Sequence, residues 1–264
     1  MSALTTTLPT SARPLPDAPM GVPFRRLLAV EVRKLVDTRA GLWLLVVIGL
    51  ITAAGIAIVL LTASPAGLTF SRLAFAAAVP QSLLLPVLGI LTATSEWSQR
   101  TGLITFTLEP RRLRVGAAKL TASLLVALGA VGVALAVGAL ANLAGILWLD
   151  GVGTWRIGPE PLLGGILMQL LSVAQGVTFG AAIGNTAAAI VAIFVLPTAW
   201  LAASVLSPSI ERMSQWADLG VTSAPLTGGA MTAADWGPLA VSVGVWVLLP
   251  LVVGGWRLQR REVV

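Results

Sequence analysis

Six runs of about twenty to thirty residues carry almost no charge, and nothing constrains the fold of this chain more. They cover about 42–62, 73–94, 118–147, 162–182, 186–206 and 237–256. The one Asp, Glu, Lys or Arg among them is Lys119, at the edge of the third run. A hydrocarbon core about 30 Å thick is crossed by about 20 apolar residues rising about 1.5 Å each in a helix. Each run meets that length. Only 11% of the 264 residues are charged, where a soluble domain carries roughly 25%. With a mean hydropathy of +0.92, this predicts an all-α, polytopic membrane protein with six transmembrane helices. Pro80 and Pro86 predict a kink in the second span. The third run is long enough to tilt or to extend beyond the membrane. The fourth and fifth meet at a tight Gly184-Asn185-Thr186 turn.

Charge sets the expected orientation. With the N-terminus inside, the cytoplasmic segments hold 14 basic and 6 acidic residues, a net of +8. The outer segments hold 3 basic and 5 acidic residues, a net of −2. An excess of Lys and Arg marks cytoplasmic segments, so both termini are expected in the cytoplasm. The overall charge of +6 is then a topology signal and a contact for anionic membrane lipid. It is not a nucleic-acid footprint, and no nucleic-acid partner is expected.

Residues 1–23 are polar and contain Pro9, Pro14, Pro16, Pro19 and Pro23. They predict a disordered cytoplasmic tail ahead of a six-span domain over 24–264. Residues 24–39 place Leu27, Leu28, Val32, Leu35 and Val36 at helical spacing, with Glu31 intruding on the apolar face. Arg25, Arg26, Arg33, Lys34 and Arg39 add positive charge. A basic amphipathic helix beside a span lies in the membrane interface; the plainer reading is that it continues the first span into the cytosol. The outer segment 207–236 places Ile210, Met213, Trp216 and Ala217 at helical spacing. That fits a short helix at, or dipping into, the outer leaflet, or else a solvated loop.

Several chemistries are disfavoured. The chain has no Cys, His or Tyr, which removes thiol chemistry and the commonest metal ligand and general base. No catalytic, cofactor-binding or metal-ligating residue is predicted, and the chain is not expected to be an enzyme. Neither lysine completes the Gly-Lys-Ser/Thr ending of a P-loop, since Lys34 follows Arg33 and Lys119 follows Ala118. Ion-coupled carriers usually need an ionisable group at depth, and none is placed there. The polar groups in the spans are the amides Gln81, Asn142, Gln169 and Gln175, with Ser and Thr. Such amides bridge helices; alternatively, Gln81 and Gln175 face a substrate path. Ser172, Gly176, Gly180 and Gly184 recur every four residues. Such a small-residue face serves helix packing within the chain or a subunit interface.

Between the second and third runs lies a charged island, Ser95 to Lys119. It holds Glu96, Arg100, Glu109, Arg111, Arg112, Arg114 and Lys119 and is expected to sit in water. Within it Leu103, Ile104, Phe106 and Leu108 predict a short apolar helix. Thr101 is placed to cap its start, and Pro110 ends it at Glu109. Glu96 and Arg100 stand one turn apart and are expected to pair. A patch that docks into another protein's groove needs such a helix; a plain loop does not.

The order Glu96-Trp-Ser-Gln-Arg-Thr-Gly102, then leucine-rich residues, then Pro110-Arg111-Arg112 and Lys119, resembles the loop after the second span in permease subunits of ABC type-2 exporters, which have the ABCG-like fold. Glu31-Val-Arg-Lys34-Leu before the first span, the six-span topology and the long loop before the last span extend the likeness from about residue 24 onward. The resemblance implies a permease that moves an amphipathic or lipid-like substrate outward across a cell membrane, by expectation a bacterial inner membrane. Its partners would be a separate ATP-binding cassette subunit, carrying the ATP and magnesium, and a second permease copy or paralogue. The resemblance makes 95–119 the coupling loop that contacts the ATPase, through Glu96, Arg100, Thr101, Gly102, Leu103, Phe106, Pro110, Arg111 and Arg112. By position it also makes Phe75, Gln81, Leu85, Gln175, Ile193, Leu196 and Trp200 candidates for the substrate path. A membrane anchor or assembly subunit that transports nothing fits the uncharged spans equally well.

Overall fold

Six helices of the computed structural model coincide with the six apolar runs, and residues 22–99 and 101–260 are described. Among the described residues, four shorter helices stand before and between them. In chain order they are α1 (Phe24–Asp37), α2 (Arg39–Thr62), α3 (Phe70–Ser98), α4 (Gly102–Leu108), α5 (Arg112–Trp148), α6 (Pro159–Ile183) and α7 (Thr186–Leu206). Then come α8 (Pro208–Ala217), α9 (Leu219–Gly228), α10 (Trp236–Val243) and α11 (Leu249–Arg260). A π-helical turn, Gly244–Leu248, joins α10 to α11 into one 25-residue rod. The six long helices are long and apolar enough to cross a membrane, and the described residues contain no strand. The chain is an all-helical multi-pass membrane protein. The expected tail falls mainly on residues 1–21, outside the described residues.

The helices run past the apolar runs that announce them. α3 continues to Ser98, and α5 begins at Arg112. The charged island is therefore not a loop: both its ends are turns of long helices, and α4 with its flanks fills the gap. Hydropathy stops at the first charge, but a helix continues wherever its charges find partners inside the protein.

α3 is the axis of the bundle. It packs against α2, α5, α6 and, near its C-terminal end, α7. In α3 and α6 about half of the apolar window is buried, 56% and 50%, against 11% in α7. α7 therefore presents most of its apolar surface outward. Both prolines of α3 are buried within one continuous helix. The α3–α6 contact is a backbone-to-backbone approach: a Cβ at Gly176 would overlap the Pro86 carbonyl, and one at Gly180 would lie 2.9 Å from Ala93 Cβ. Gly89 answers from α3, where an added Cβ would lie 2.8 Å from the Val173 carbonyl. Two members of the four-residue glycine stripe thus serve packing within the chain. A third, Gly184, has a left-handed backbone (φ 69°) that ends α6, and Asn185 caps α7 by accepting from the Ala188 N–H at 3.0 Å.

Thr38 makes the corner between α1 and α2. Its extended backbone (φ −76°, ψ 143°) breaks the helix, and its Oγ1 accepts from the Gly41 N–H at 3.2 Å. α1 then folds back on α5, α2 and α3. At the opposite end, the α2–α3 and α5–α6 connections are joined by backbone bonds from Val152 to Pro65, Gly153 to Leu68 and Phe70 to Thr154. Segment 207–236 forms two helices where one short helix is expected. Asp218 separates them and caps α9 through Oδ1. The hairpin is fastened to the bundle: Trp200 Nε1 donates to Ser214 Oγ at 2.9 Å, Trp246 Nε1 to the Ala217 carbonyl at 2.6 Å, and Thr222 and Ser242 share a 2.6 Å hydroxyl bond.

Candidate functional site

Two features meet at the C-terminal end of α3: a projecting apolar helix and a group of four charges, three of them buried. The helix is α4. Its chain reversal is made by the Thr101 N–H donating to the Glu96 carbonyl at 3.0 Å. Thr101 occupies the N-cap position, yet its hydroxyl makes no capping bond. Its ψ of 0° departs from the extended geometry in which a capping hydroxyl reaches the next turn. The helix ends at Glu109, whose extended backbone (φ −136°) suits the residue before Pro110. Glu109 is 2% exposed. Its Oε2 pairs with Arg114 Nη1 at 2.9 Å and its Oε1 accepts from the Arg111 N–H at 3.4 Å.

α4 has two faces. Gly102 and Phe106 are buried, while Leu103, Ile104 and Leu108 are 60–70% exposed. Phe106 is held on two sides. The Trp97 ring lies 6.1 Å away on α3, and the Arg112 guanidinium lies 5.1 Å from the Phe106 centroid on α5. Arg112 also donates from Nη1 to the Leu258 carbonyl at 3.1 Å. The inward face thus holds α4 against α3 and α5, Arg112 in turn ties α5 to α11, and the outward face is an apolar triplet on a firm mount.

Beneath it lie Glu31, Lys34, Glu96 and Lys119. Lys119 Nζ meets Glu96 Oε1 at 2.8 Å, Glu31 Oε2 at 2.9 Å, the Thr92 carbonyl at 2.9 Å and Ser95 Oγ at 3.1 Å. Lys34 Nζ meets Glu31 Oε1 at 2.7 Å and Glu96 Oε1 at 3.4 Å. Ser95 Oγ donates to Glu96 Oε2 at 3.0 Å. Glu31, Glu96 and Lys119 are at most 5% exposed. Two cations and two anions sum to zero, which lets the group leave water without an unbalanced charge. It ties α1, α3 and α5 together. Burial by itself lowers the Lys34 pKa, but the hydrogen bond and charge of Glu31, then those of Glu96, outweigh it and hold the ammonium above its usual 10.5. Both carboxylates are paired with lysine ammonium groups.

Three of the island's seven charges, Glu96, Glu109 and Lys119, are thus buried in protein and not in water. Glu96 takes lysine partners from other helices; Arg100 lies outside the described residues. Of the remaining coupling candidates, Arg111 and Pro110 are exposed beside α4. The four-charge group was only half legible. Its signal was Glu31, a carboxylate on the apolar face of α1, together with Lys119 at the edge of an apolar run. A charge on a buried face demands an opposite charge, but which helices bring them together is a matter of tertiary packing.

The path candidates are dispersed in this structure. Leu85 is 1% exposed and packs with Ile48, Ala127 and Val173. Gln81 is buried, and its carbonyl receives Gln169 Nε2 at 3.5 Å. Ile193 packs with Ile90 and Ala189. Gln175 and Trp200 are half-buried, and Phe75 and Leu196 are exposed. A scan against protein-family models finds no match to this chain, and no curated protein matches it.

Proposed function

We propose that this chain is the membrane permease of an ATP-driven exporter, and that α4 is the surface through which a separate ATP-binding subunit acts on it. The observation that carries the reading is the two-faced mounting of α4. Leu103, Ile104 and Leu108 stand exposed at the basic end, while Phe106 is clamped between Trp97 and Arg112. Apolar side chains at the end of a membrane bundle are costly to leave in water and fit a partner's groove. A push on that triplet passes to α3 and α5 at once, because the neutral group of Glu31, Lys34, Glu96 and Lys119 binds those helices to each other and to α1. Energy delivered from outside then biases one packing of the bundle over another. The positive charge at this end supports a cytoplasmic placement, and α1 lies as an interfacial helix at the same end. The exposed face of α7 fits a second permease copy or paralogue across a two-fold axis. The substrate, amphipathic or lipid-like, moves outward, and the setting is a cell membrane of bacterial type.

The test is co-purification from native membranes using the full chain. A stoichiometric nucleotide-hydrolysing subunit is expected with the wild type and should be lost in Leu103→Glu/Ile104→Glu, with the permease still inserted and folded. If no such subunit accompanies the wild-type chain, the chain is a non-transporting anchor or assembly subunit and the proposal fails.

A further inference from the structure

The rod formed by α10, the π-helical turn and α11 carries a tryptophan near each end. Trp236 and Trp256 are both more than half exposed. They stand 20 residues apart, about 30 Å at about 1.5 Å per residue. That is the thickness of a hydrocarbon core, and tryptophan gathers at its two boundaries. The exposed residues between them are glycine, alanine, valine and leucine. Charge lies directly outside both: Asp235 precedes Trp236, and Arg257 follows Trp256. Trp236 therefore marks the membrane boundary at the bundle end opposite α4. On α5, Trp148 is more than half exposed just before Asp150 and marks the same boundary.

α8 lies against this boundary. It packs on α7 and α10 with Ser214 buried. The Trp216 ring passes 3.8 Å from where a Cβ on Gly237 would stand, next to Trp236. The two flanks of α8 differ. Met213 and Trp216, three residues apart, share one flank, and both are more than half exposed. Glu211 and Gln215, four residues apart, share the other, and both are exposed. A helix divided in this way offers one flank to hydrocarbon and one to water. Its apolar flank is the one that adjoins the rod beside Trp236, at the level where the rod enters the bilayer.

We propose that Met213, Trp216 and Trp236 form a lipid-binding patch seated at the headgroup–acyl boundary of the leaflet opposite α4. α8 lies in the membrane plane, with Glu211 and Gln215 turned to water. The patch holds more than its own helix. Ser214 Oγ accepts from Trp200 of α7 at 2.9 Å, and the Ala217 carbonyl accepts from Trp246 of the rod at 2.6 Å. A leaflet that grips α8 thereby bears on α7 and on the last span. The inference stands whether or not the chain is a permease, because it needs only a bilayer.

The chain has no cysteine, so single cysteines carrying an environment-sensitive fluorophore test this in phosphatidylcholine vesicles holding the full chain. The label on Met213→Cys should be quenched at least about twofold more strongly than that on Gln215→Cys by lipid bearing a nitroxide at the fifth acyl carbon. Iodide supplied on both sides should reverse that order by at least about twofold. The unlabelled chain gives an independent reading if a label disturbs the hairpin: the tryptophan emission lost in Trp216→Phe should be emission that shallow brominated lipid quenches. Equal quenching of the two labels by iodide overturns the proposal, since α8 is then a solvated helix. So does a Met213→Cys label that neither quencher reaches, the result expected if a second copy or another protein covers α8. A label quenched better by a nitroxide at the twelfth carbon also overturns it, since the hairpin then dips into the bilayer.

Discussion

Lys119→Met removes the one group that touches both buried carboxylates closely. Its ammonium lies 2.8 Å from Glu96 and 2.9 Å from Glu31, and the residue is 5% exposed. Without it, Lys34 alone faces two anions, at 2.7 and 3.4 Å, and the site carries one uncompensated negative charge. Breaking a buried ion pair from one side costs about 3–5 kcal/mol. The methionine fills most of the volume but leaves the Thr92 carbonyl and Ser95 Oγ without this donor, which adds in the same direction. Restoring neutrality separates charge from packing. Glu31→Gln/Lys119→Met keeps Glu96 opposite Lys34, and it should recover about 1–3 kcal/mol relative to the sum of the single variants. Reversible unfolding in bilayers or mixed micelles, read as free energy, measures both. Lys119→Met within about 1 kcal/mol of wild type, or a double variant that is simply additive, would refute the idea that charge balance holds α1, α3 and α5 together.

Further outcomes follow from single contacts. Gly176→Ala, which drives a methyl into the Pro86 carbonyl, should destabilise by about 1–3 kcal/mol, whereas Gly129→Ala, with nothing near the added Cβ, should be neutral or stabilising by up to about 1 kcal/mol; thermal unfolding of the pair checks this. Lys34 has a raised pKa in the folded state. Its stabilisation is therefore complete below about 10.4, the unfolded value, and is lost as pH rises through the higher folded value. Unfolding midpoints across alkaline pH should show that loss, and Lys34→Gln should diminish it. Trp200→Phe removes the bond to Ser214 Oγ and should cost about 1 kcal/mol. Proteolysis of the α8–α9 hairpin should become faster in that variant, with α6 and α3 unaffected.

Local rules determined most of the helix inventory. Apolar runs of the right length become spans because each helix satisfies its own backbone bonds, whatever its neighbours. Pro110 ends α4 at Glu109, and Gly184-Asn185 turns α6 into α7, through backbone conformations that belong to those residues alone. Three things could not be read locally. The apolar runs stop at 94 and start again at 118, yet α3 and α5 run on to Ser98 and back to Arg112, because Glu96 and Lys119 neutralise each other across the bundle. Glu31 was visible as an intruder on an apolar face, but its partner is 88 residues away. Gly176 and Gly180 were visible as a small-residue stripe, and only the approach of α3 decides that the stripe faces inward. Period and composition act over a few turns of one helix. Charge compensation and close backbone contact are properties of helix pairs, and those exist only once the bundle has formed.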